Sequence, residues 1–174
     1  PVLLFGTEEQ KQYYGAKLAS GVISAQLLTE PQSGSDVSNM LTTAVRDGDE
    51  YVINGRKTFV TNGGLAGIYT VAAATKPADP ENGIKRPEVS LFIVDRDTPG
   101  VSVGKEENKM GIRLSNTTDV VFDNVRIPAA NLIGEEGKGL LYASTLLART
   151  RPTGMAPALG LGQHAIDLAV DYAR

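Results

Sequence analysis

The chain has 174 residues, 41% of them hydrophobic and 21% charged, with a formal net charge of −3. That is the composition of a folded chain of about one domain, and its slight acidity gives no electrostatic case for nucleic acid or an anionic membrane. With no cysteine and His164 as its single histidine, disulfides, thiol nucleophiles and histidine-rich metal sites are excluded, and no apolar run approaches the ~20 residues that cross a bilayer.

The sequence opens at Pro1, without a methionine or a basic, apolar leader, which reads as a piece of a longer protein. Thr7-Glu8-Glu9-Gln10 is a capping-box pattern, with a threonine cap and a glutamine three residues on to reach back. It predicts a helix to about Leu18, stopped by Gly21. Residues 22–28 are apolar and partly β-branched, as in a buried strand.

From there to about Leu132 the texture is β. Asp47-Gly48 and Asn54-Gly55 are hairpin signals on either side of a short strand, residues 50–53. Further strands are expected at 40–45, 57–61, 68–74, 88–95, 101–105 and 118–122. The loop 76–87 holds three prolines, an asparagine and a glycine. After Asn131 the pattern turns helical, with Leu140, Leu141, Ser144 and Leu147 at helical spacing. Pro152 suits either the first turn of a new helix or a kink in a continuous one. Leu159, Gln163, Ile166 and Val170 continue the 3.6-residue period to Arg174. This last helix carries an apolar stripe and has no partner helix in the sequence, so it reads as the start of an unfinished bundle.

The expected architecture is mainly β with flanking helices: an antiparallel barrel or orthogonal sandwich of about seven to eight strands, one short N-terminal helix and one long, kinked or double C-terminal helix. Residues 1–21, 22–132 and 133–174 form its three parts.

Little here can act as a nucleophile or base. His164 falls in a late amphipathic helix, where a packed or surface histidine is the ordinary role. Ser33-Gly34-Ser35 lacks the strand–Gly-x-Ser-x-Gly–helix context of a serine hydrolase. Gly134 to Gly139 lacks the strand and the Gly-Lys-Ser/Thr ending of a phosphate loop. The turn at Gln32 to Ser35 follows a strand, so its amides can form an anion-binding nest beside the hydroxyls of Thr29 and Ser35. An ordinary turn with local serine and threonine bonding explains it as well. In the second segment, strand alternation leaves Phe59 and Thr61 on one face. An aromatic ring and a hydroxyl two residues on can grip a flat, polar-edged ligand, and Asn62-Gly63-Gly64 lets backbone approach closely. A plain hairpin packed on a sheet is the competing reading.

The order of motifs makes the ligand specific. Thr29-Glu30-Pro31 through Ser35-Asp36 is followed by Asn54-Gly55 and then Phe59-Val60-Thr61-Asn62-Gly63-Gly64. After these come Phe92-Ile93-Val94, Thr98-Pro99-Gly100, Lys109-Met110-Gly111-Ile112-Arg113 and Val121-Phe122-Asp123-Asn124-Val125-Arg126-Ile127-Pro128. Together they resemble the middle domain of acyl-CoA dehydrogenases. Residues 5–20 resemble the last helix of that family's N-terminal helical domain, and Thr150-Arg151-Pro152 the opening of its C-terminal bundle.

The resemblance implies FAD as cofactor and an acyl-CoA thioester as substrate, oxidised to a trans-2-enoyl-CoA. It implies an electron-transferring flavoprotein as electron acceptor and a homo-tetramer or dimer in the full-length protein. The compartment it implies is bacterial cytoplasm, or the mitochondrial matrix in a eukaryote. Gln26, Leu28 and Thr29 would lie along the pyrimidine side of the flavin. Gly34 and Ser35 would meet its ribityl-diphosphate region. Phe59, Val60 and Thr61 would flank the face away from substrate, with Thr61 bonding the hydride-accepting nitrogen. Ser35, Arg149, Thr150 and Arg151 would meet the substrate. Two departures stand out: Phe59 replaces a tryptophan of many relatives, and Ala148 replaces an acidic residue that bonds the pantetheine in several. The family's base is a glutamate, placed in most branches beyond Arg174 and in a minority at the position of Thr150. Threonine cannot titrate there, so no catalytic residue and no metal ligand is assigned to this chain, and the segment alone is expected to be inactive. Acyl-CoA oxidases, nitroalkane oxidases and reductive relatives share the same domain. A non-enzymatic β binding module is the other reading.

Overall fold

A computed structural model of the chain describes residues 1–37 and 39–174. It divides into two compact units, 1–140 and 141–174.

The first unit opens with a four-residue helix, α1 (Val2–Phe5), which the sequence pattern does not announce, and continues with α2 (Glu8–Ala19). The capping box closes as expected. The Thr7 hydroxyl accepts from the Gln10 amide at 3.2 Å, and the Gln10 side chain accepts from the Thr7 amide at 3.1 Å. The same glutamine donates to the carbonyls of Ala130 and Leu132, both at 2.7 Å, and so ties the helix to the segment after the last strand. At the other end Gly21 adopts φ +92°. The Val22 amide then reaches the Lys17 carbonyl and the Gly21 amide reaches Leu18, which satisfies carbonyls that a helix end otherwise strands.

Seven strands follow: β1 (Ser24–Leu27), β2 (Thr43–Asp47), β3 (Glu50–Thr61), β4 (Ile68–Lys76), β5 (Glu88–Asp95), β6 (Val101–Val103) and β7 (Thr117–Pro128). They form one sheet. One edge of β4 pairs with β5, and the other is shared, parallel to β1 along its first half and to β2 at Thr43–Ala74. From β2 the path runs antiparallel through β3, β7 and β6. The sheet is therefore antiparallel except at this shared edge. In β4 every residue from Ile68 to Ala74 is buried, as a strand covered on both faces requires.

Curling of the sheet builds the core. Tyr51 of β3 and Phe92 of β5 lie three strands apart along the path, about 14 Å in a flat sheet. Their ring centroids are 4.8 Å apart. Leu27, Ile53, Val71, Val94, Val120, Phe122 and Ile127 complete the same cluster.

The Asp47-Gly48 signal gives a hairpin: Asp47 pairs with Glu50 around a two-residue turn. The hairpin expected at Asn54-Gly55 is not there. β3 runs through it unbroken, with a register shift against β7 between Ile53 and Gly55. Asn54 accepts from the Asn124 amide at 2.8 Å. Gly55 has φ +150°, and a Cβ on it would stand 2.4 Å from the Thr42 hydroxyl oxygen and 2.7 Å from its Cα. Asn-Gly here serves a bulge and a close backbone approach instead of a turn. Gly55→Ala should therefore cost more than about 1 kcal/mol, read as a lower denaturation midpoint at unchanged slope.

The second unit is most of α3 (Gly139–Ala173), one continuous helix with Pro152 and Pro157 inside it. No helix among the described residues is long and apolar enough to cross a membrane.

Candidate functional site

β1 ends at Leu27, and the chain then passes Leu28 and Thr29 into a tight turn. The amides and carbonyls of Glu30 and Ser33 pair mutually at 3.0 Å across Pro31 and Gln32. Beyond it, Gly34 and Ser35 are exposed. The hydroxyls of Thr29 and Ser35 and the amides of Gly34 and Ser35 make no hydrogen bond to any described residue, so they are available to a ligand.

The second segment is shaped by a bulge. Between the pairs Lys57–Val120 and Val60–Thr118, β3 carries one residue more than β7. Phe59 takes φ +52° and is 64% exposed. Val60 turns back into the core, and Thr61 is exposed again with an unpaired hydroxyl. Phe59 and Thr61 thus share an outer face, whereas Val60 can offer a ligand only its backbone. Asp119 holds this bulge. Its carboxylate accepts from the Thr58 hydroxyl, the Arg56 guanidinium and the Phe59 amide. Burial alone would raise the Asp119 carboxyl, but those donors hold it below its usual range. Asp119→Asn should cost about 1.5–3 kcal/mol, the worth of a charged hydrogen-bond acceptor, checked by chemical denaturation at neutral pH.

After Thr61 the backbone is pinned. Asn62 has φ +61° and donates its amide to the Asn116 carbonyl at 2.8 Å. The Gly64 amide donates to the Asn116 side chain at 2.8 Å, and the Tyr69 hydroxyl to the Gly63 carbonyl at 2.8 Å. A Cβ on Gly63 would lie 2.5 Å from the Thr118 hydroxyl oxygen, so this glycine answers to packing.

The two segments meet directly. The Thr58 amide donates to the Thr29 carbonyl at 2.9 Å. Lys57 donates to the Leu28 carbonyl at 3.2 Å and to the Glu30 carboxylate at 2.8 Å. That ion pair is sealed from solvent, at 0% and 2% side-chain exposure. Glu30 also accepts from the amides of Leu41 and Thr42, at 2.7 and 3.0 Å, and from Gln32 at 2.6 Å. On β1 the side-chain nitrogen of Gln26 is buried without a partner, as is the hydroxyl of Thr70, its register partner on β4.

Sequence reasoning missed Glu30, Lys57 and Asp119. A signal existed for Lys57. Along an unbroken β3, alternation carries inward-facing Tyr51 and Ile53 through Gly55 to Lys57, and a lysine there needs a carboxylate. Splitting the strand at Asn54-Gly55 lost that parity. Arg149, Thr150 and Arg151 belong to the second unit. All three are exposed, and the Thr150 hydroxyl returns to the Leu146 carbonyl at 3.2 Å. Two surface cavities lie elsewhere in the first unit. One of about 740 Å³ runs between α2 and the segment after β7, lined by Gln10, Tyr13, Asp95 and Leu132 among others. The other, of about 520 Å³, follows residues 96–103. Neither includes Thr29 or Thr61. Among the described residues no cluster of carboxylates and histidine could hold a metal ion.

Comparison with known proteins fits this geometry. Residues 25–125 match the family model described as acyl-CoA dehydrogenase, middle domain. The chain is 47% identical to an acyl-CoA dehydrogenase of Bacillus subtilis, over 100% of this chain and 45% of that protein. The solved structure of butyryl-CoA dehydrogenase from Megasphaera elsdenii superposes with a TM-score of 0.86 at 42% identity, covering 99% of this chain and 44% of that one. An acyl-CoA dehydrogenase from Bacillus anthracis, solved in complex with FAD, superposes with a TM-score of 0.76 at 41% identity, over 84% and 25% of the two chains. The chain thus spans less than half the length of the relatives it matches.

Proposed function

Since the chain belongs to the acyl-CoA dehydrogenase family, we propose that residues 22–132 are the flavin-facing domain of an FAD-dependent acyl-CoA dehydrogenase, with 1–21 and 133–174 contributing to the helical domains on either side. The observation that carries this reading is the direct junction of the two segments at the Thr58–Thr29 hydrogen bond, with unspent donors on both. Thr29, Gly34 and Ser35 offer hydroxyls and amides without other partners, and Phe59 and Thr61 are exposed. An aromatic face, two hydroxyls and paired amides suit the ring, polar edge and diphosphate of FAD.

Bound there, FAD supplies the hydride acceptor for oxidation of the acyl-CoA. This chain binds and orients. Phe59 would pack against the ring, Thr61 would donate a hydrogen bond to it, and Thr29, with Leu28 and Gln26, would hold its polar edge. Gln26 brings a buried, unpartnered amide nitrogen to that side. The amides of Gly34 and Ser35 would take diphosphate oxygens and the Ser35 hydroxyl would also meet the thioester; Arg149, Thr150 and Arg151 are proposed as substrate-binding residues of the second unit. Val60 contributes backbone only. Glu30, the carboxylate next to Thr29, is sealed and taken up by donors, so it is not proposed as the proton base. The proposed electron acceptor of the full-length protein is an electron-transferring flavoprotein.

The test uses the full-length protein. It should purify with FAD, and Thr29→Val or Thr61→Val should each weaken FAD binding about two- to tenfold, the worth of one net hydrogen bond, read by fluorescence titration of the apoprotein. Unchanged affinity in both variants, or a flavin-free full-length protein, refutes the assignment. The isolated 174-residue chain should bind FAD weakly or not at all. Peroxide release against dye reduction separates a dehydrogenase from an oxidase of the same fold.

A further inference from the structure

The geometry points to the Glu30–Lys57 ion pair as a positioning device that sets the flavin-facing segments against each other and so fixes the orientation of the bound ring. This rests on the flavin reading above and extends it to residues that touch no ligand. Both bonds of Lys57 land on chain that flanks Thr29. Lys57 takes the Leu28 carbonyl and the Glu30 carboxylate, on either side of Thr29. The next residue, Thr58, takes the Thr29 carbonyl with its amide. Thr29 is therefore held through its own carbonyl and through both neighbours, while its hydroxyl is left unspent. The anchors on the other strand, Lys57 and Thr58, immediately precede Phe59. The carboxylate also gathers the amides of Leu41 and Thr42, which lead into β2, so three stretches of chain meet at one node.

Stability alone is a poor account of such a node. Taking an ammonium and a carboxylate out of water costs most of what their attraction returns, and two well-packed apolar side chains of similar size hold a core as well or better. What an apolar pair lacks is direction. Dispersion contacts tolerate small slides, whereas a node of hydrogen bonds to named carbonyls and amides is satisfied in one register. A ring gripped from two segments feels such a slide immediately, because displaced donors no longer meet its edge.

The experiment compares, in the full-length protein, the unsubstituted form with the double variant Glu30→Leu/Lys57→Met, which removes both charges together. The double variant should remain folded. Its melting temperature should fall below that of the parent, because the Leu41 and Thr42 amides lose their acceptor, yet stay above that of Glu30→Ala. It should bind FAD about tenfold more weakly and alter the circular dichroism of the bound flavin, which reports ring orientation. Parent-like affinity together with a parent-like flavin spectrum overturns the proposal. A second measurement needs no variant. Hydrogen exchange in the unsubstituted protein should place the amides of Leu41, Thr42 and Thr58 with the slow amides of β4, and loop-like exchange at those three positions overturns the proposal as well. If the unsubstituted protein binds no FAD, the flavin assignment fails, while hydrogen exchange still tests whether the node is rigid.

Discussion

Glu30→Ala should cost about 3–5 kcal/mol of folding stability, because it leaves the Lys57 ammonium buried with no counter-charge. The same change strands the amides of Leu41 and Thr42, whose acceptor is the Glu30 carboxylate. Urea denaturation at pH 7 measures the loss. Replacing both partners by Leu and Met should recover most of it, and a double variant as unstable as the single would show that geometry rather than charge carries the effect. The pair also gives stability a pH dependence. Burial pushes the Glu30 carboxyl up, but the Lys57 ammonium and the donated hydrogen bonds outweigh it, so the group titrates below its ordinary value of 4.5. A carboxyl depressed on folding contributes stability that is complete above about pH 4.5 and is lost as the pH falls through the folded value. Lys57 works in the opposite window. Burial lowers it from 10.5 to about 8 against the upward pull of Glu30. Between those values the folded chain holds fewer protons than the unfolded one, so this titration makes stability rise with pH there. The double variant should lose less stability than the parent as the pH falls below about 4.5, and should lack the Lys57 contribution above pH 8.

Phe92→Ala should cost a similar amount, about 3–5 kcal/mol, as expected for a buried aromatic whose cavity cannot collapse. Phe92 is fully buried, and its ring meets Tyr51 at a tilt of 58° across the curl of the sheet. Tyr51 cannot simply follow into the space, because its hydroxyl donates to Glu136 at 2.6 Å. The loss therefore falls on the contact that joins β5 to β3 across the curl. Leu114 is a control: it is fully exposed, and Leu114→Ala should change stability by no more than about 0.5 kcal/mol. A parent-like midpoint for Phe92→Ala would mean that the curl does not depend on this contact.

Both effects arise where neighbours in space are distant in sequence, and that divides what the chain discloses from what it hides. Local chemistry was legible. Thr7 and Gln10 form a capping box within four residues of chain, and Asp47-Gly48 closes a hairpin whose strands adjoin it. β5 falls on the expected residues 88–95, and β4 begins as expected at Ile68 but runs on to Lys76. That Phe59 and Thr61 share a side was legible, but the bulge between Lys57 and Val60, which turns that side outward, was not. β7 extends six residues beyond its expected end, to Pro128, because its partner β3 also continues. Asn54-Gly55 shows where local reasoning stops. The dipeptide suits a tight turn and a bulge equally, and the choice was made by Asn124 and Thr42, which pack against it from other strands.

The sequence by itself determined the helix cap, the alternation of the strands, the absence of thiol and histidine chemistry, and the residue types on the candidate face. Only the tertiary structure decided that Thr29 and Thr58 share a hydrogen bond and that Lys57 is sealed against Glu30. It also decided that Asp119 holds the bulge which turns Phe59 outward. The reason is physical: a cap or a turn is satisfied by groups a few residues away, whereas a buried charge is satisfied by whatever the folded sheet brings beside it.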